Sequence, residues 1–256
     1  MDVIVLAGAT KPSDLTQSEG VHNKAFIQIN GQAMLSYVVS ALQQVAQIEK
    51  IVLVGPALEI QALFTPSDTL IVVAEGKSIV ENLQRGLAAL GSTKPCLIVT
   101  ADSAFLTCLA VENFLAACQP YTAAIYYPII SRSDIEYRFP DVKRTYVKLI
   151  DGEFTGGNAL LVDPVRLEQV MPQINRFFAL RKKPWRLAAV FGIDLVLKFF
   201  TKRLTIAQLE KRFATIFSVP GQAVILSDAE LGTDVDKPED LELARKYLVP
   251  SGNNGI

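Results

Sequence analysis

Short runs of β-branched and other apolar residues recur in the first hundred positions, at 3–6, 51–54, 70–74 and 96–100. Between them, 34–45 and 79–90 have helical spacing. Strands apolar at consecutive positions are buried on both faces, and their alternation with helices predicts βαβ units around a mostly parallel sheet. Ligands of such sheets bind beyond the carboxyl ends of the strands. Here those ends carry Gly8, Gly55, Gly76 and Asp102.

After about residue 123 the pattern changes. Runs at 123–130, 146–150 and 159–162 predict strands with short connections, a mixed extension of the sheet. Helices are predicted over 164–180, 184–200 and 205–217, then a short strand at 223–226 and a last helix at 237–247. No internal repeat or linker interrupts the chain, so the prediction is one domain over 1–248 with a helical insert at about 165–217. The polar tail 249–256 is expected to be disordered.

Composition removes several function classes. Lysine plus arginine (25) nearly balance aspartate plus glutamate (26), so no basic patch points to a nucleic-acid partner. No basic region leads into a long apolar stretch at the start, which predicts a cytoplasmic protein without a signal peptide. Three cysteines without a C-x-x-C pair argue against a disulfide framework and a structural zinc site. A single histidine, His22, and no G-x-S-x-G elbow leave little material for Ser-His-Asp hydrolysis. Carboxylates, lysines and backbone amides remain.

The stretch 185–200 is strongly apolar, with Arg181, Lys182, Lys183, Lys198, Lys202 and Arg203 at its flanks. Interrupted by Arg186, Asp194 and Lys198, it is too short and too charged to span a bilayer, so no transmembrane segment is expected. Three readings stay open: peripheral contact of 181–203 with anionic lipid, a lid over a phosphorylated substrate, and a packed helix with snorkelling lysines.

Four segments could carry chemistry. The first strand ends in Leu6-Ala7-Gly8-Ala9-Thr10-Lys11, small residues that let backbone N–H groups approach an anion, and Asn23-Lys24 could add a point charge beside it. Thr100-Ala101-Asp102 closes a buried strand with a hard oxygen ligand suited to Mg²⁺. Asp234-Val235-Asp236 precedes Pro238 and Glu239, so Asp236 could cap a helix, bind a metal, or both. Ser78 and Glu81 have the spacing of a capping box, while Gly76, Ser78 and Asn82 could face a nucleotide base. Two phosphate loops are excluded. Gly76-Lys77-Ser78 lacks the glycine of a P-loop, which would fall at Ile71, and no strand is followed by G-x-G-x-x-G.

In order, Leu6-Ala7-Gly8, Lys24-Ala25, Ile29-Asn30-Gly31, Gly76-x-Ser78 with Asn82 and Gly86-Leu87, Thr100-Ala101-Asp102, Gly156-Gly157-Asn158 and Asp234 to Leu241 resemble the MobA-like NTP transferases. The resemblance spans nearly the whole chain. It implies a GT-A-type three-layer α/β/α fold and transfer of NMP from an NTP to a small acceptor, often phosphorylated, with release of pyrophosphate. It further implies Mg²⁺ (or Mn²⁺) on Asp102 and Asp236, with Lys24 completing the catalytic set. The nucleotide would contact Leu6, Ala7, Gly8, Ala9, Lys11, Lys24, Ala101 and Asp102 at its phosphates, and Gly76, Ser78 and Asn82 at base and ribose. Gly157 and Asn158 would lie near ribose or acceptor. Arg144, in a segment rich in arginine and tyrosine, is the acceptor-side candidate. The chain departs from the family at Ala9 and Thr10, where glycines are usual, in having no arginine between Gly8 and Lys24, and in Asn23 and Ser103–Leu106, where prolines are usual. A glycosyltransferase using an NDP-sugar through a D-x-D pair, and a catalytically silent nucleotide-binding protein, are the alternatives.

Overall fold

The computed structural model of the protein describes residues 1–8, 13–180 and 190–249. Its strands are β1 (Asp2–Leu6), β2 (Gln28–Ile29), β3 (Gln32–Ala33), β4 (Lys50–Gly55), β5 (Leu70–Ala74), β6 (Cys96–Thr100), β7 (Ile125–Ser131), β8 (Val147–Leu149), β9 (Gly152–Gly156), β10 (Ala159–Val162) and β11 (Gly221–Leu226). All but the small β2–β3 hairpin join one nine-stranded mixed sheet. β5, β4, β1 and β6 are parallel neighbours in that order. β10 then runs antiparallel between β6 and β7, β9 pairs antiparallel with the far half of β7, and β11 lies parallel to β7. β9 and β10 are thus two halves of one broken strand, with Gly157 and Asn158 at the break.

The helices are α1 (Asp14–Ser18), α2 (Met34–Gln43), α3 (Ala57–Leu63), α4 (Ile79–Leu90), α5 (Cys108–Ala117), α6 (Arg132–Arg138), α7 (Pro164–Gln169), α8 (Met171–Leu180), α9 (Ile193–Phe200), α10 (Ile206–Phe217) and α11 (Pro238–Tyr247). Side chains alternate across each strand, so Val3 and Val5 join one core with Leu35, Val38, Phe114 and Leu241, while Ile4 joins the other with Val80, Leu87, Leu167 and Ile174. The result is three layers, with α2, α5 and α11 on one face and α4, α7 and α8 on the other.

Two details position the site. Gly86 lets α4 approach β1 closely, because a Cβ there would lie 2.8 Å from Ile4 Cγ2. Asn82, one turn earlier on the same helical face, is thereby carried over the carboxyl end of β1. In the hairpin, Asn30 and Gly31 both have positive φ, as a tight two-residue turn requires. The Asn30 amide donates to the Arg245 and Leu248 carbonyls at the end of α11, tying that helix to the hairpin.

Several expectations need correction. The helix predicted over 164–180 is two, because Pro172 in a continuous helix would clash with the carbonyl four residues earlier. β9, α1, α3, α5 and α6 arise from stretches too short or too uniformly apolar to show a period. Asp236 does not cap α11: Asp240 instead accepts from the Asp236 and Lys237 N–H groups at 3.1 and 3.0 Å. Ser78 does cap α4, but Glu81 bonds the Lys77 N–H, so the box is not reciprocal. Of the helix predicted over 184–200, positions 184–189 lie outside the described residues and Ile193–Phe200 is helical; the tail from 250 also lies outside them.

Candidate functional site

The parallel strands end in a row that backbone bonds extend past the sheet. Ala7 donates to Val54, Ala101 to Leu6 and Glu75 to Gly55, at 2.8–3.1 Å. Beyond this edge lies an open cleft of about 560 Å³, within the size range of small-molecule sites. Leu6, Ala7, Gly8, Lys24, Asn82, Ala101, Asp102 and Asp236 all line it.

Lys24 reaches the cleft through an asparagine. The Asn23 side chain, 7% exposed, donates to the Ala7 carbonyl at 2.6 Å and accepts from the Ala25 N–H at 2.9 Å, capping the short 3-10 turn Lys24–Phe26. Asn23 therefore pins the Lys24 turn to the end of β1 through its side-chain hydrogen bonds. From there Lys24 Nζ lies 3.5 Å from Asp102 Oδ2 and in close contact with Asp236 Oδ1. Burial opposes its charge, but Asp236 and Asp102 more than offset this and hold its pKa above the ordinary lysine value.

The segment 233–236 is extended, so alternate residues share a face. Thr233 and Val235 are fully buried, and Asp234 and Asp236 turn the other way. The Val235 N–H donates to the Asp102 carbonyl at 3.0 Å, which brings Asp102, Asp234 and Asp236 together with carboxylate oxygens within 4.8 Å of one another. Such clustered hard oxygens suit a divalent cation such as Mg²⁺. Asp234 is held by Arg144, which contacts its carboxylate and donates to its carbonyl at 2.8 Å. Burial pushes the Asp234 pKa up, Arg144 counters, and the neighbouring Asp236 and Asp102 add to the rise. Tyr127 turns its hydroxyl into the space left by Gly156; enclosure, then the Asp234 charge, raise its pKa. Arg144 Nε and Tyr146 Oη are buried without a partner among the described residues.

On the other side of the cleft, a side chain at Gly8 would collide with the Asn82 amide nitrogen and lie 2.7 Å from Glu75 Oε2. Asn82 is 3% exposed, and its carbonyl oxygen accepts from the Gly76 N–H at 2.6 Å, so its NH₂ group is directed toward Gly8. The loop around Gly76 is stapled by Arg85, which donates to the Ala74 and Glu75 carbonyls and to Glu81.

Not every candidate meets at the cleft. Gly76 and Ser78 do not line it: Gly76 makes room for the folded Glu81 side chain, and Ser78 is a helix cap. Gly157 and Asn158 use their N–H groups on the Pro128 and Leu231 carbonyls at the strand break, and do not line it either. Arg144 sits behind the carboxylates on Asp234. Ala9 and Lys11 lie outside the described residues. Ser13 and Thr16, which cap α1 reciprocally and line the cleft, are not among the candidates the sequence offers; Asn23 stands there only as the neighbour of Lys24, and Asp234 only in the D-x-D run. The D-x-D spacing was the signal for Asp234, because extended chain places alternate residues together.

The MobA-like NTP transferase domain model matches residues 3–166. No curated protein matches the chain. Among solved structures, a hypothetical transferase from Thermus thermophilus is similar at 34% identity and TM-score 0.84, covering 94% of this chain and 98% of that one. The 2-C-methyl-D-erythritol 4-phosphate cytidylyltransferase from Francisella tularensis is 12% identical, with TM-score 0.60 over 96% of this chain and 99% of that one. The 4-diphosphocytidyl-2C-methyl-D-erythritol synthase from Anaerococcus prevotii is 13% identical, with TM-score 0.59 over 96% and 94%. The last two share the fold. The matched segment contains the Gly8 turn, Lys24, Asn82 and Asp102, and the fold returns Asp236 from outside it to the same cleft; the chain belongs to the MobA-like NTP transferase family, and is a nucleotidyltransferase.

Proposed function

We propose that the protein transfers NMP from an NTP to a small acceptor with release of pyrophosphate, in the cleft between Gly8 and the carboxylate cluster. The observation that carries this reading is the convergence of Lys24, Asp102 and Asp236 beyond the end of β1, opposite a backbone turn that only glycine fits. Asp102 and Asp236, with Asp234 beside them, would hold Mg²⁺ or Mn²⁺. A divalent cation there supplies charge neutralisation for the phosphates. The chain's own groups do the rest. Gly8 admits the nucleotide against the strand end, Asn82 offers hydrogen-bond donors to base or ribose, and Lys24 exchanges its carboxylate partners for phosphate oxygens. Arg144 holds Asp234 in place from behind the cluster.

The cytidylyltransferases on this fold put CTP first among the nucleotides to test. We expect one NTP to raise the melting temperature in the presence of Mg²⁺, and Asp102→Ala to abolish that rise. No shift with any of the four NTPs would defeat the reading. The place of Asp234 in the cluster favours a second one, a D-x-D glycosyltransferase. Release of an NDP from an NDP-sugar, in place of pyrophosphate from an NTP, would establish it.

A further inference from the structure

Residues 181–203 carry seven lysines and arginines against one acid, Asp194. The segment therefore has a net charge of +6 in a chain of −1, and all the other residues together sum to −7. The single acid is itself paired, with Arg212 at 2.8 Å. Charge separated to this degree is an interaction signal, because a protein with no use for it would mix its signs.

The described part of this segment, residues 190–203, contains α9. Leu195 is 5% exposed and anchors the helix to the protein, whereas Ile193, Leu197 and Phe200 are 79%, 60% and 75% exposed. Their spacing of four and three residues puts them in one stripe facing solvent. Phe199, 43% exposed, packs edge-on against Phe200 with ring centroids 5.6 Å apart. Ile150, 63% exposed, is held beside the segment's end by its N–H on the Leu204 carbonyl at 2.9 Å. Lys198, Lys202 and Arg203 follow the apolar stripe at the end of the helix. No helix among the described residues is long and apolar enough to cross a membrane. A short helix with apolar side chains outward and cations alongside instead suits the plane of an interface.

We propose that α9 and the residues just after it dock the protein peripherally on an anionic membrane surface, with Ile193, Leu197 and Phe200 entering the interfacial layer and Lys198, Lys202 and Arg203 among the headgroups. Charge decides between this occupant and a second copy of the chain. A two-fold contact on this face would set Lys198, Lys202 and Arg203 against their own images, whereas an anionic bilayer is complementary.

The test is co-sedimentation of the full chain with vesicles of phosphatidylcholine alone or mixed with phosphatidylglycerol, read in parallel by the emission of Trp185, the one tryptophan in the sequence. Binding is expected only to the mixed vesicles, with a blue shift of Trp185 and reversal by salt. Each neutralised cation should weaken binding about fivefold, so Lys198→Gln, Lys202→Gln and Arg203→Gln together lower it on the order of a hundredfold. Leu197→Glu with Phe200→Glu should abolish it at an unchanged melting temperature, since both side chains are exposed. If that pair melts early, Ile193→Gln replaces it as the variant. Absence of wild-type binding, equal binding to neutral vesicles, or indifference to the apolar substitutions would overturn the proposal. So would self-association without vesicle binding, lost on Phe200→Glu, which would assign the face to a second copy.

Discussion

Replacing Lys24 with methionine keeps the apolar stem and removes the ammonium that stands between Asp102 and Asp236. At 3.5 Å and an effective dielectric constant of 20, each such attraction is worth about 5 kcal/mol before screening. The three side chains are 26%, 23% and 50% exposed, so solvent reduces this to about 1 kcal/mol per pair. The variant also leaves three carboxylates within 4.8 Å with, among the described residues, Arg144 as the cation paired with them. The expected loss is about 2 kcal/mol, a fall of about 5 °C in melting temperature for a chain of this size. Mn²⁺ should reverse the fall, and its affinity without nucleotide should rise about tenfold, because the cation no longer competes with the ammonium. The carboxylates hold Lys24 above its ordinary pKa of 10.5, so the ion pairs contribute fully below that pH and are lost only as pH rises past the folded-state value. The difference between wild type and variant should therefore stay flat from about pH 6 to 10. Scanning calorimetry and titration calorimetry with Mn²⁺ read both effects. A variant that melts with the wild type and binds Mn²⁺ no better would refute the idea that Lys24 and the metal share one set of carboxylates.

Gly8→Ala should cost about 1–3 kcal/mol and remove the nucleotide-induced thermal shift, because the new methyl meets the Asn82 amide; a normal shift would show that the turn is not where the nucleotide enters. Arg144→Met leaves the Asp234 carboxylate largely buried without its partner, for a loss of about 3 kcal/mol in urea unfolding, and adding Asp234→Asn should recover part of it. The thiols of Cys96 and Cys118 are pushed up to about 12 by burial, so native protein at pH 8 should yield at most one slowly reacting thiol, Cys108, and three after denaturation. Fast labelling of two or more in the native state would contradict the packing of α5 and β6.

The central strands and the helices between them were legible because they are buried on both faces. The stretches 79–90, 96–100 and 159–162 coincide with α4, β6 and β10, since a doubly covered strand needs an unbroken apolar run and an amphipathic helix needs its period. The helix starts were legible where one side chain caps its own turn, as at Ser78 and Thr205. Less was legible where an element is short or half exposed, as in β9 and α6, because four to seven residues with mixed burial do not resolve a period of 2.0 from one of 3.6.

For the site, sequence alone determined which residue types stand at the strand ends: Gly8 after β1, Asp102 after β6 and the Asp234-Val235-Asp236 run ahead of α11. It could not separate a cap from a ligand, because a carboxylate before a helix reads the same in either role. Tertiary structure decided that. Asp240 takes the capping bonds, and the Val235 N–H docks on Asp102, so Asp236 faces Lys24, 212 positions away in the chain. Asn23, Ser13 and Thr16 acquire their place in the cleft only because β1 lies between β4 and β6. Strand order depends on packing both faces of the sheet together, and no local pattern records which strand ends become neighbours.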